Sequence, residues 1–173
     1  MIEGSGIVNA AHFSKSLRLR GVCKTDKMFT IKQQHVNEIN AQIRMGWPLE
    51  ICGYLGGVGG HVQAVYPVNN IAANPDTGFV MEPQSQLNAM LGVEDNNTAI
   101  LAVYHTHPVG TRSDPSDRDR AGFAELNCLY VVIVPNENRV IDSLRVFRLE
   151  GGKSCEVPIK IETETEHPGD NLI

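Results

Sequence analysis

The sequence predicts an α/β or α+β fold centred on a mixed sheet, because helical patterns are interspersed with a longer set of strand patterns. Three observations lead there. Val36, Ile39 and Ile43 recur at helical spacing. Leu49 to Gly57 and His61 to Val68 read as two strands joined by a glycine turn at Val58-Gly-Gly60. The run Ala99-Ile-Leu-Ala-Val-Tyr104 is apolar and β-branched enough for a buried central strand.

Taken in order, Met1 to Lys27 mixes small residues with a basic cluster at Lys15, Arg18, Arg20, Lys24 and Lys27. It reads as a loosely attached leader, in which Leu17, Leu19 and Val22 offer at most an edge strand. The domain starts near Phe29. Thr30-Ile-Lys-Gln33 has the form of a capping box and opens the first helix, which closes near Gly46 and Pro48. His35 is expected at the core margin of that helix, and His61 in solvent beside the hairpin turn. After a polar loop from Asn69 to Thr77, Gly78 to Met81 suggests a short strand. Pro83 to Leu91 suggests a helix with Pro in its first turn and with Leu87, Met90 and Leu91 at core spacing. A loop from Glu94 to Thr98 precedes the central strand. Further strands are expected at Leu129 to Val134, Leu144 to Leu149 and Cys155 to Ile161, and the acidic end from Glu162 reads as a disordered tail.

Length and composition bound the possibilities. The 173 residues suit one domain, here 29–161, with an extension at 1–28 and a tail at 162–173. A net charge of -5 provides no general attraction for nucleic acid. Cys23, Cys52, Cys128 and Cys155 lie far apart, which suits reduced thiols rather than a disulfide framework or an all-cysteine zinc site. There is no apolar run long enough to span a membrane and no secretory leader, so a cytoplasmic protein is expected.

The chemistry gathers between Ile100 and Asp119. On a strand, His105 and His107 share a face, which two residues that far apart on a helix cannot do. Pro108 removes a donor and ends the ladder, leaving both imidazoles at the strand's exit. Two such histidines can also be ordinary hydrogen-bonded surface residues, since short motifs arise by chance. A catalytic zinc takes three protein ligands and leaves a position to water, and Asp114, Asp117 and Asp119 are all candidate third ligands. Ser116-x-x-Asp119 also has a plain structural meaning, a capping box starting a helix through Leu126. Glu50, opening an apolar strand, is by itself read as a solvated carboxylate at the sheet edge.

These residues resemble a known family, the JAMM metalloproteases of the MPN-domain superfamily. The family pattern is His-x-His-Pro, seven residues, then Ser-x-x-Asp. It is met by His105-Thr-His107-Pro108 and Ser116-Asp-Arg-Asp119, and the upstream glutamate segment by Glu50-Ile-Cys-Gly-Tyr-Leu-Gly-Gly57. The resemblance implies a cytidine-deaminase-like fold, a curved, mostly antiparallel sheet flanked by helices. It selects Asp119 as the third zinc ligand beside His105 and His107, and makes Glu50 the general base for a water at the metal. It implies that Ser116 stabilises the oxyanion rather than acting as nucleophile.

The reaction implied is hydrolysis of the amide after the C-terminal Gly-Gly of ubiquitin or a ubiquitin-like, β-grasp protein of sulfur-carrier type. The chain looks like a compact, prokaryote-like member. Tyr54 to Gly60, Ala72 to Phe79 and Val109 to Asp114 are candidate groove segments, and a substrate strand is expected to add to a sheet edge beside the metal. Two alternatives stand beside this reading: a zinc hydrolase releasing cysteine or another small group from a carrier protein, and a non-catalytic scaffold of the same fold. Oligomeric state cannot be inferred from the sequence.

Overall fold

The computed structural model describes residues 28–108, 112–123, 128–150 and 153–163. The suggested leader strand, Cys23, the helix end at 124–126, the groove residues 109–111 and the tail beyond Thr163 lie outside them. The elements are β1 (Phe29–Lys32), α1 (Gln33–Gly46), β2 (Cys52–Val58), β3 (His61–Val68), α2 (Pro83–Asp95), β4 (Ala99–Thr106), α3 (Asp117–Phe123), β5 (Leu129–Pro135), β6 (Ile141–Glu150), β7 (Lys153–Val157) and β8 (Ile159–Glu162). One sheet takes the order β7-β6-β5-β4-β2-β3-β1-β8. Pairing is antiparallel at β2/β3, β2/β4, β5/β6 and β6/β7, and parallel at β4/β5, β1/β3 and β1/β8. This is the mixed, mostly antiparallel sheet that was expected.

Period-two alternation divides the interior into two cores. Ala102, Tyr104, Leu129, Val131 and Ile133 face one side, against Val36, Ile39 and Ile43 of α1. Cys52, Tyr54, Val103, Tyr130 and Val132 face the other, with Ala89 of α2. Strands β4 and β5 are therefore buried on both faces, which explains why Ala99 to Tyr104 reads as an unbroken apolar run. The β2–β3 turn puts Gly59 at φ 62° and Gly60 at φ 90°, a left-handed backbone that glycine adopts without a Cβ penalty.

Several sequence expectations are corrected. Thr30 does not cap a helix: residues 29–32 form β1 and pair with β8, Phe29 opposite Ile159 and Lys32 opposite Glu162. Helix α1 starts at Gln33 without a side-chain cap. A partner strand far along the chain outweighs the local capping pattern. Residues 78–81 are not a strand; Met81 makes one bridge to Asn70. On α2 the buried residues are Gln86, Ala89 and Val93; Met90 packs against the core as expected, while Leu91 is exposed. The core face is turned by one position because Gln86 Nε2 donates to the buried Tyr54 hydroxyl at 2.7 Å, so a polar side chain can face inward.

The single strand expected at 155–161 is two. Pro158 separates β7 from β8, and the two pair with strands at opposite ends of the sheet order. The sheet must therefore curl until its two edges meet at that residue. Glu162, expected in a disordered tail, closes β8. His35 is fully buried rather than marginal, and His61 is exposed as expected. Among the described residues no helix is long and apolar enough to cross a membrane.

Candidate metal centre

The site forms where β4 leaves the sheet. Cys52 pairs with His105 in the antiparallel β2/β4 ladder. The ladder runs on past Cys52: Thr106 N–H donates to the Ile51 carbonyl at 3.0 Å, and Ile51 N–H donates to Thr106 Oγ1 at 2.9 Å. Beyond this point the buried Glu50 comes near enough to His107 and Asp119 for the charges of both to act on it. The backbone of Glu50 is held on both sides, its N–H by the Pro75 carbonyl at 2.7 Å and its carbonyl by Asn70 Nδ2 at 2.8 Å. Asn70 also accepts from Ala72 N–H at 2.9 Å and Val80 N–H at 3.0 Å, which folds the 70–80 loop against Glu50.

His105, His107 and Asp119 converge with ligand atoms all within 4.8 Å of one another, and all three residues are buried. The two Nε2 atoms are 2.8 Å apart, and Asp119 Oδ2 lies 3.7 Å from His105 Nε2 and 3.6 Å from His107 Nε2. Three ligands at ordinary zinc distances on a tetrahedron are separated by roughly 3.3 Å, so this triangle has the size a zinc ion requires. His107 Nδ1 contacts the Arg112 carbonyl. Because a carbonyl can only accept, Nδ1 carries the proton and Nε2 keeps its lone pair for a metal. The donor set of two imidazoles and one carboxylate fits zinc.

Asp119 is delivered by the first turn of α3. Asp119 N–H donates to Ser116 Oγ at 3.1 Å, and Ser116 N–H donates to Asp119 Oδ2 at 2.7 Å. The capping box is thus real, and one carboxylate oxygen serves both cap and triangle. Ser116 is thus tied to Asp119 through both its N–H and its Oγ. The other two candidate ligands are engaged away from the triangle, Asp114 with Arg145 and the exposed Asp117 with Arg120.

Burial sets the electrostatics. It drives Glu50 up to about 7, against the pull of His107 and Arg118 and with the push of Asp119 and Asp76. It drives His105 down to about 3, so that imidazole is neutral. Burial also opposes charge on Asp119, yet the contact with His107, the nearby His105 and the Ser116 hydrogen bonds outweigh it and hold the carboxyl below its usual range. The Cys52 thiol is pushed by burial up to about 12, which leaves it inert as a nucleophile.

Three contributors were not visible in the sequence. Phe79 and Tyr130 pack on the His105 ring with centroids at 4.9 and 5.0 Å, and Asn70 holds the Glu50 peptide. The strand patterns gave no sign that Phe79 reaches a histidine 26 positions on. Of the groove segments, residues 54–57 lie inside the sheet, paired with β3 on one side and β4 on the other. Strands β2 and β4 are flanked on both sides, so neither has a free edge beside the site for an added strand. The 72–79 loop does border Glu50 and His105.

A family model described as prokaryotic homologs of the JAB domain matches residues 32–148. The chain is 33% identical over 90 residues to a desampylase of Haloferax volcanii, covering 47% of this chain and 63% of that protein. It is 36% identical over 58 residues to a probable TtuB-protein conjugate cleaving protease of Thermus thermophilus, covering 34% of this chain and 38% of that protein. The match thus spans less than two thirds of either relative. The solution structure of a Desulfitobacterium hafniense protein superposes with TM-score 0.69 at 30% identity, over 82% of this chain and 97% of the other. A JAB1/MPN domain protein of Archaeoglobus fulgidus shares the fold, with TM-score 0.51 at 15% identity over 79% and 100%.

Proposed function

Because the chain belongs to the family of prokaryotic JAB-domain proteins, we propose that it is a zinc-dependent isopeptidase acting on conjugates of a ubiquitin-like protein. The amide cut is the one after a C-terminal Gly-Gly. The relatives named for desampylation and for cleaving TtuB–protein conjugates support this substrate class. The observation that carries the reading is a buried glutamate, Glu50, within electrostatic reach of a zinc-sized triangle of His105, His107 and Asp119.

His105, His107 and Asp119 would hold the ion, which when bound lowers the pKa of water and polarises a carbonyl. Glu50 accepts the proton of the attacking water and delivers it to the leaving amine. The Ser116 hydroxyl donates to the developing oxyanion. Asn70 and Pro75 fix the backbone from which Glu50 reaches the water.

The proposed catalytic domain is 29–161, with β1 fastened to β8. Free thiols at Cys52, Cys128 and Cys155 support a reducing, cytoplasmic setting. The test is incubation of the zinc-loaded protein with Gly-Gly-tailed ubiquitin-like proteins joined to lysine, with and without chelator. Chelator-sensitive release of the intact tailed protein is expected from wild type and none from Glu50→Gln. Release that persists in the chelator, or in that variant, would refute the proposal.

A further inference from the structure

One residue outside the motif is placed to hold the ligands in register. Across the sheet, His105 pairs with Val132 and Val132 with Arg145, so Arg145 stands on the site's face two strands from the histidine. Residues 112–116, which lead into α3, pass above it. The guanidinium is engaged at every nitrogen: Nε and Nη2 bind Glu156 at 2.9 and 2.6 Å, and Nη1 contacts Ser113 Oγ at 3.1 Å together with the Asp114 carboxylate. Phe147 supports it from below, with its ring centroid 4.9 Å away. A lone exposed ion pair would contribute little stability. This one is a fork, and what it grips matters more than its energy.

Ser113 follows Arg112, whose carbonyl meets His107 Nδ1, and Asp114 lies two residues before the Ser116 cap that binds Asp119. We infer that Arg145 is a positioning residue for the metal centre, clamping residues 113–114 to β6 and β7 so that His107 and Asp119 are both held at ligand spacing. This rests on the reading of His105, His107 and Asp119 as a zinc site. Without the fork, the segment between the Arg112 carbonyl and the Ser116 cap loses its hold on β6 and β7, and two of the three ligands lose that outer support together.

Zinc affinity measured by competition with a chromophoric chelator tests this without recourse to turnover. Arg145→Met should weaken zinc binding about tenfold, the scale of a lost outer-shell contact. Arg145→Lys should restore only part of it, because an ammonium cannot make the fork. Asp114→Asn should reproduce the loss, and the double variant should be no weaker than the worse single one. Asp117→Asn, an equal charge change on an exposed side chain, should stay within about twofold of wild type. Should Arg145→Met fail to fold, Arg145→Lys and Asp114→Asn still decide. Unchanged affinity in Asp114→Asn, full recovery by Lys, or strictly additive losses would overturn the inference alone. A wild-type protein that binds no zinc would overturn the metal-site reading and the inference with it.

Discussion

Glu50→Gln should raise the stability of the metal-free protein at pH 8 while removing its activity. The carboxyl moves from 4.5 to about 7 on folding, chiefly through burial. Between those values the native state keeps a proton that the unfolded chain has lost. Stability is therefore whole below pH 4.5, falls through the window, and reaches its floor above pH 7. At about 1.4 kcal/mol per unit, the ionised side chain costs the folded state about 3 kcal/mol. A glutamine of the same shape carries no charge to bury, so the variant escapes that cost. For a domain of this size the gain is roughly 6–12 °C in melting temperature. At pH 5 most of the penalty has not developed, and the gain should be under about 1 kcal/mol. Saturating zinc should shrink the pH 8 difference, because a cation beside Glu50 favours its ionised form. Thermal melts of metal-stripped wild type and variant at both pH values measure this. An equal shift at pH 5 and pH 8, or a loss at pH 8, would refute the burial argument.

Other outcomes follow from the same geometry. Asp119→Ala should abolish tight zinc binding, whereas Asp117→Ala should retain it; equilibrium dialysis against zinc distinguishes the two. Ser116→Ala should lower kcat by about 10²–10³ with little change in KM if its hydroxyl meets the oxyanion, and should cost about 1 kcal/mol of stability from the lost cap. A purely structural Ser116 would show the second effect without the first. Gly53→Ala should destabilise strongly, since its Cβ would lie 2.3 Å from the Tyr66 carbonyl and 2.7 Å from Tyr104. Overpacking of this kind costs about 1–3 kcal/mol or more, read by denaturant unfolding.

The centre was legible because its chemistry is local in sequence. His105 and His107 announce a strand by their spacing, and Ser116 and Asp119 announce a helix start. Glu50 was legible only through the resemblance, for alone it looks like an edge carboxylate; its burial depends on the 70–80 loop that Asn70 folds over it. What pattern could not show was long-range pairing. Thr30 looked like a cap because nothing nearby reveals that 29–32 will meet Ile159 to Glu162. Gln86 was not among the core positions expected of its helix, because its partner, Tyr54, is 32 residues away. Choosing among Asp114, Asp117 and Asp119 from chemistry alone failed for the same reason, since Arg145 and Arg120 decide which carboxylates are otherwise engaged.

The curl that brings both margins of the sheet to Pro158 means that ten residues act as a zip fastener, with one half on β6 and the other on β1. A chain ended before Lys153 would move both margins of the sheet inward at once, from the short β7 and β8, which carry Lys153, Glu156, Lys160 and Glu162, to β6 and the largely buried β1. Such a shortened form should clump through strand-to-strand pairing before its candidate metal centre is disturbed, so the last strands shield the protein's solubility more directly than its chemistry.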